Sequence, residues 1–185
     1  YIRSKKKKTE ISAFYKDKFR GIDISGIRTV DDLQKLPVTT KEDLQLRNKD
    51  FICVEREKII DYLTTSGTLG APVTFVETEN DLERLALNEY LSFRCANASR
   101  DDIFQLMVTL DRRFMAGLAY FLGLRKLGAG IVRVGPGNPE LQFDTIRRTG
   151  ANKLVTIPSF LLKLISYAEE NGIDYKSFGI EAAVC

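Results

Sequence analysis

From Ile103 onward the chain alternates short apolar runs with helical patterns, and this alternation restricts the fold more than any other feature. "IFQLMV" (103–108) reads as a buried strand. Strands over 130–134, 153–157 and 180–184 follow, separated by helices over 113–128, 139–148 and 158–171. The joints are the glycine turns "LGAG", "RTGA" and "ENG". Alternation of this kind predicts an α/β fold, a doubly wound and mostly parallel sheet flanked by helices. Helix 113–128 is apolar nearly all round, so deep burial is expected. The last residues, "IEAAVC", read as an apolar strand with no helix to close it. The expectation is that the fold continues past Cys185 as part of a larger domain.

Upstream, the pattern differs. Ile11, Phe14, Tyr15 and Phe19 recur at helical spacing and predict a helix over 9–20. Thr29 with Asp32, and Thr40 with Asp43, resemble capping boxes with Asp in place of Glu, and Pro37 ends the first of these helices. "IIDYLT" and "VTFVE" read as two strands joined by a loop. A long helix starts after Thr78 or Asn80 and runs to about Asn97. The expected division is a helical region over 1–58 and the first part of an α/β domain over 59–185.

Composition excludes several classes. Twenty-eight basic residues balance twenty-five acidic ones, which gives no case for nucleic acid. Lys5–Lys8 is the one basic run and reads as a solvated terminus. No apolar run approaches the roughly 20 residues of a membrane span, and the start lacks the apolar stretch of a signal peptide. A cytoplasmic, membrane-free protein is expected. No histidine occurs, so Ser-His-Asp and Cys-His chemistry is excluded from these residues. Cys53, Cys95 and Cys185 have no metal spacing and are expected to be buried free thiols. No metal site is expected among these residues.

Between the two early strands lies "TTSGTLGAPV" (64–73). Gly67 and Gly70 let backbone N–H groups approach a ligand, and Thr65, Ser66 and Thr68 add hydroxyl donors. Such a cluster makes a nest for phosphate. It is not a Walker loop, because Gly70 is followed by Ala71 and Pro72, not by Lys-Ser/Thr and a helix. A plain Gly/Thr-rich hairpin turn is the competing reading.

The string resembles the phosphate-binding signature of the adenylate-forming superfamily, Ser/Thr-Ser-Gly-Thr-Thr-Gly-x-Pro. Thr65, Ser66, Gly67, Thr68, Gly70 and Pro72 match. Leu69 replaces the second Thr, and Val73 replaces a Lys. The second departure resembles the phenylacetate–coenzyme A ligase branch. "FYKDKFRGIDISGIRTVDDLQKLPVTTKEDL" and "TIPSFLLKLISYAEENGID" are also similar to that branch, the latter through Pro158 and Ser159. The resemblance spans nearly the whole chain, although only the loop motif is specific by itself.

What the resemblance implies is a two-step ligase. An organic acid, expected to be an aryl acid, attacks the α-phosphate of ATP to give an acyl-adenylate and pyrophosphate. Coenzyme A then displaces AMP. ATP/AMP, Mg²⁺ and coenzyme A are the implied cofactors. The adenine and ribose motifs and the catalytic lysine are expected after Cys185, so no catalytic residue is assigned here and this segment alone is expected to be inactive. Phe114 and Gly117 resemble the Phe-His-x-x-Gly stretch that lines the acyl tunnel, with Phe114 at the His position. With Pro158 and Ser159 they form the candidate acyl pocket; core packing and first-turn hydrogen bonding are the competing readings. Arg112 and Arg113 can meet an anion at a helix start or form a salt-bridged surface. "VGPGNPE" (134–140) reads as a turn capped by Asn138. A relative with a different acyl acceptor, or a nucleotide-binding scaffold without catalysis, fits the same residues. Oligomeric state stays open, a homodimer among the options.

Overall fold

Caps and glycine turns set where each element begins and ends. The computed structural model describes residues 12–65 and 72–185. By contacts the chain divides into two units, Tyr1–Thr78 and Glu79–Cys185.

In the first unit, α1 (Ala13–Lys18) starts at Ser12, whose hydroxyl accepts from the Tyr15 amide. The same hydroxyl donates to the Asp50 carbonyl at 2.8 Å. Phe14 is buried and stacks on Phe51 with ring centroids 4.1 Å apart. The expected helix start at 9–11 lies outside the described residues. The capping box at Thr40 and Asp43 is present and opens α2 (Lys41–Leu46). Thr29 and Asp32 also exchange bonds, yet only a 3₁₀ turn over Asp31–Lys35 follows. The reason is Pro37, which holds Leu36 extended and leaves too few residues for an α-helix. Strands β1 (Ile59–Thr64) and β2 (Thr74–Thr78) pair antiparallel, Leu63 opposite Phe75 and Thr64 opposite Thr74. They form a separate two-stranded sheet.

The second unit opens with α3 (Glu79–Cys95). Strands β3 (Ile103–Leu106), β4 (Gly130–Arg133), β5 (Lys153–Val155) and β6 (Ala182–Val184) make a four-stranded sheet in the order β4-β3-β5-β6. Every pairing is parallel, as expected from the alternation. Between them run α4 (Met115–Leu127), α5 (Pro139–Thr149) and α6 (Pro158–Glu170). Gly128 and Gly150 end the first two of these helices with φ of +81° and +67°, the left-handed cap that favours glycine.

Side-chain alternation along the strands separates two cores. Phe104, Leu106 and Val155 pack with Phe93 of α3 and Leu124 of α4. Met107 and Leu154 pack with Phe143 and Ile146 of α5 and Leu164 of α6. Helices therefore cover both faces, which is the doubly wound arrangement.

Two expectations are corrected. Helix α4 is not buried all round. It packs through the buried residues Gly117, Ala119, Gly123 and Leu124, while Phe114 and Met115 at its start are exposed. At Gly123 an added Cβ would lie 2.4 Å from Glu89 Cβ, so small residues on one stripe bring α4 close to α3. The thiols are free but not buried. Cys95 and Cys185 are exposed and Cys53 is half-buried; Cys95 ends α3 on its solvent side.

Candidate functional site

Strand β1 leads into the hydroxyl-rich loop and β2 leads out of it. Thr65 donates its amide to the Val73 carbonyl at 3.0 Å. Its hydroxyl accepts from the Val73 amide at 3.1 Å. The Asn48 side chain clamps the backbone of Thr74 from both sides, accepting from its N–H at 3.0 Å and donating to its C=O at 2.9 Å. The loop thus springs from a pinned base. Thr65 spends one acceptor position on that base and keeps its O–H free to donate. Ser66, Gly67, Thr68 and Gly70 lie outside the described residues. Asn48 was not singled out from the sequence. Nothing in its local pattern shows a partner 26 residues away.

In the second unit the strand order locates a crevice. The chain leaves β3 toward β4 on one side and leaves β5 toward β6 on the other. Neighbouring parallel strands whose connections diverge open a cleft at their carboxyl ends, where α/β sheets bind ligands. The two ends stay joined, the Met107 amide donating to the Val155 carbonyl at 2.8 Å. The segment after β3 carries Phe114 and Gly117. The segment after β5 carries Pro158 and Ser159. The topology therefore brings all four to one edge.

Their settings differ. Phe114 occupies the N-cap position of α4 and is 47% exposed, so its ring is not a core element. Ile157, just before α6, is 55% exposed. Pro158 is in the first turn of α6, where a missing N–H costs nothing, and Ser159 is exposed beside it. Gly117 has a packing reason of its own. A Cβ there would fall 1.9 Å from the Thr109 carbonyl oxygen, so only glycine lets α4 seat against the segment that follows β3.

Arg112 and Arg113 sit in that segment with φ of +58° and +61°. Left-handed geometry costs about 1–2 kcal/mol for each residue with a Cβ. The Arg112 guanidinium comes no nearer than 4.0 Å to Asp111, and both side chains are largely exposed. For Arg113 no acidic partner is found among the described residues. The salt-bridged reading is met in part, by the long and exposed Arg112–Asp111 pair.

Beside this edge lies a buried polar network that the sequence did not mark as a site. Gln105 of β3 donates through Nε2 to the carbonyl and the side-chain oxygen of Gln142, at 3.1 and 2.8 Å. Gln142 donates in turn to the carbonyls of Gly135 and Gly137, at 2.9 and 3.0 Å. The segment after β4 is thereby held, and Asn138 caps α5 as expected, accepting from the Leu141 amide. A polar residue inside the apolar run "IFQLMV" was the signal. After β5, Thr156 is 3% exposed and its Oγ1 has no hydrogen-bond partner. Thr156→Val is therefore expected to raise stability by about 1 kcal/mol, because it removes an unsatisfied buried group. Urea unfolding measures this, and a loss of stability would show that the hydroxyl is bonded.

A buried charge cluster lies at the opposite edge, where the strands begin. Lys153 is buried and lies 3.0 Å from Glu181 and 3.6 Å from Asp102. Burial pushes the Asp102 carboxyl up, but bonds from the Ser99 amide and Asn152 side chain, with the Lys153 charge, hold it below the usual carboxylate range. Bonding to Glu181 outweighs burial at Lys153 and raises its ammonium above the ordinary lysine value. This cluster joins strand starts and has no part in the crevice. Among the described residues no group of three or more acidic, cysteine or histidine side chains is placed to hold a metal ion.

No protein-family model matches the chain. Curated relatives do. Phenylacetate-coenzyme A ligase of Escherichia coli (strain K12) is 31% identical over 158 residues, 84% of this chain and 36% of that protein. The chain is a homologue of the phenylacetate–coenzyme A ligases. The enzyme of the same name from Thermus thermophilus is 28% identical over 165 residues, 89% of this chain and 37% of that protein. The homologue thus spans a little over a third of the length of these relatives. Its fold is that of a solved 2-hydroxyisobutyryl-CoA ligase in complex with its acyl-AMP and CoA. That structure is 21% identical, with a TM-score of 0.85 over 98% of this chain and 40% of that one.

Proposed function

We propose that the full-length protein is an AMP-forming ligase that activates an organic acid with ATP and transfers the acyl group to coenzyme A. The observation that carries this reading is the relationship to phenylacetate–coenzyme A ligases over 84% of the chain, together with the hydroxyl loop on its pinned hairpin. The aryl class of the acid is part of the same proposal.

In this reading the loop holds the phosphates of ATP. Thr65, Ser66 and Thr68 offer hydroxyls, and Gly67 and Gly70 leave backbone N–H groups accessible. Pyrophosphate must be held as it leaves and then released, which suits neutral donors on a glycine loop. Phe114, Gly117, Pro158 and Ser159 stand where the acyl group would run. Exposed apolar surface at Phe114 and Ile157 suits the body of an organic acid. Mg²⁺ is part of the same proposal, accompanying the ATP phosphates, and no step is assigned to it.

Acid-dependent exchange of pyrophosphate into ATP, measured on the full-length protein, tests the first half-reaction. Ser66→Ala or Thr68→Ala is expected to slow it by roughly 10- to 1000-fold, with a smaller effect on acid binding. Unchanged exchange in both variants would reduce the loop to a structural turn.

A further inference from the structure

The polar network of Gln105 and Gln142 costs the core stability. Gln105 is fully buried, and its Oε1 has no hydrogen-bond partner among the described residues. Two leucines would fill similar space without an unsatisfied acceptor. What the network achieves is the placing of one short segment. Gln142 donates from Nε2 to the carbonyls of Gly135 and Gly137, on either side of Pro136. The amides of Val134 and Gly135 donate to the Leu106 carbonyl, at 3.2 and 3.0 Å. Leu106 is the last residue of β3, and the next amide, that of Met107, donates to Val155 at the end of β5. The segment after β4 is therefore folded over the point where β3 and β5 end, which is the crevice.

Its outer side has its own character. Gly135 and Gly137 hold φ of +78° and +89°, a conformation that favours glycine. A Cβ on either would meet nothing within 4 Å, so these glycines serve the backbone turn and border open space. Both are half-buried, whereas Pro136 between them is exposed. With the flanking carbonyls drawn into the protein, the segment presents the proline ring outward. Such a ring is apolar and already rigid, so ordering it against a ligand costs little entropy.

We propose that Pro136 is an apolar contact for the body of the acid at the mouth of the crevice, and that Gln142, seated by Gln105, is the positioning residue that holds it there. The inference rests on the ligase function proposed above. A fixed ring selects by length and shape. An acid with a long apolar body gains the contact and a short one does not. Neither Pro136 nor Gln142 touches a reacting atom, so together they set which acid is preferred.

The test is kcat/KM from acid-dependent pyrophosphate exchange on the full-length protein, with phenylacetate, hexanoate and acetate as probes. The variants are Pro136→Ala, Gln105→Leu/Gln142→Leu, and the combination of the two. In each of the first two, the larger of the phenylacetate and hexanoate values, taken relative to acetate, is expected to fall about 10-fold, as for loss of one apolar contact. Replacing both partners of a buried bond by apolar groups of similar shape is nearly neutral for folding. Pro136→Ala changes an exposed position and tests the ring by itself. The combined variant should fall no further, because both changes remove the same contact, whereas independent effects would multiply. That result is one a merely structural role for Gln142 would not produce. Unchanged ratios in Pro136→Ala, a multiplied loss in the combined variant, or a wild type that favours neither longer acid over acetate overturns the proposal. Failure of the ligase reading is a different result, no exchange in the wild type with any of the acids.

Discussion

Gly117→Ala is expected to destabilise the protein by about 3 kcal/mol, the upper part of the usual range for overpacking. The added Cβ would lie 1.9 Å from the Thr109 carbonyl oxygen and 2.8 Å from its carbon. Both are backbone atoms, so no rotamer change can relieve the clash. Either α4 slides off the sheet or the segment from Thr109 to Phe114 moves. The second outcome would displace Phe114, which the proposed function puts beside the acyl group, and weaken acid binding beyond what stability explains. Gly123→Ala separates the effects. It also meets close neighbours, Glu89 Cβ at 2.4 Å and the Tyr90 nitrogen at 3.0 Å, but these belong to α3 and not to the crevice. Urea unfolding should show losses for both variants, with substrate titration strongly affected only in Gly117→Ala. Gly117→Ala of wild-type stability would mean that the helix and the segment are not in contact.

Lys153→Met should cost about 3 kcal/mol. Removing one partner of a buried ion pair typically costs about 3–5 kcal/mol, because the other charge stays buried. The lower end is expected here, since Asp102 keeps its bonds from the Ser99 amide and the Asn152 side chain. The pH dependence has a definite sign. The Asp102 pKa is depressed on folding, so its contribution is complete above the ordinary carboxylate range and is lost as pH falls through the lower folded value. The Lys153 pKa is raised, so its contribution is complete below the ordinary lysine range and is lost only as strongly alkaline pH passes the folded value. Urea midpoints at pH 7 and at pH 3 should therefore differ less in Lys153→Met than in wild type. An equal drop in both would show that the pair does not carry the acid sensitivity.

The parallel sheet was legible because its signals are local. Short apolar runs, helical periodicity and glycine at the helix ends each act within a few residues. Thr40 with Asp43 and Asn138 with Leu141 behaved as their spacing implied. Thr29 with Asp32 shows where local reading fell short: the box formed, but Pro37 left no room for a helix beyond it. Deep burial of α4 was misread for a related reason. Hydrophobicity shows that a helix can be buried, whereas the faces actually covered depend on what packs against it.

For the candidate site, the hydroxyl loop was visible as a string of small residues, since its chemistry lies in contiguous positions. Its pinned base was not, because Asn48 and Thr74 meet only after the chain turns back. Phe114 and Gly117 lie more than forty residues from Pro158 and Ser159 in the chain, and resemblance alone links them. The strand order placed them at one edge, because β3 and β5 are neighbours in space with β4 between them in sequence. The sequence by itself determined the alternation of elements, their caps and the family relationship, all of which depend on residue order over short spans. Only the tertiary structure decided that Gly117 must lack a side chain, that Gln142 holds the segment after β4, and that Arg112 and Arg113 take positive φ. Those properties arise from atoms that approach through space, and no pattern along the chain encodes the distance between them.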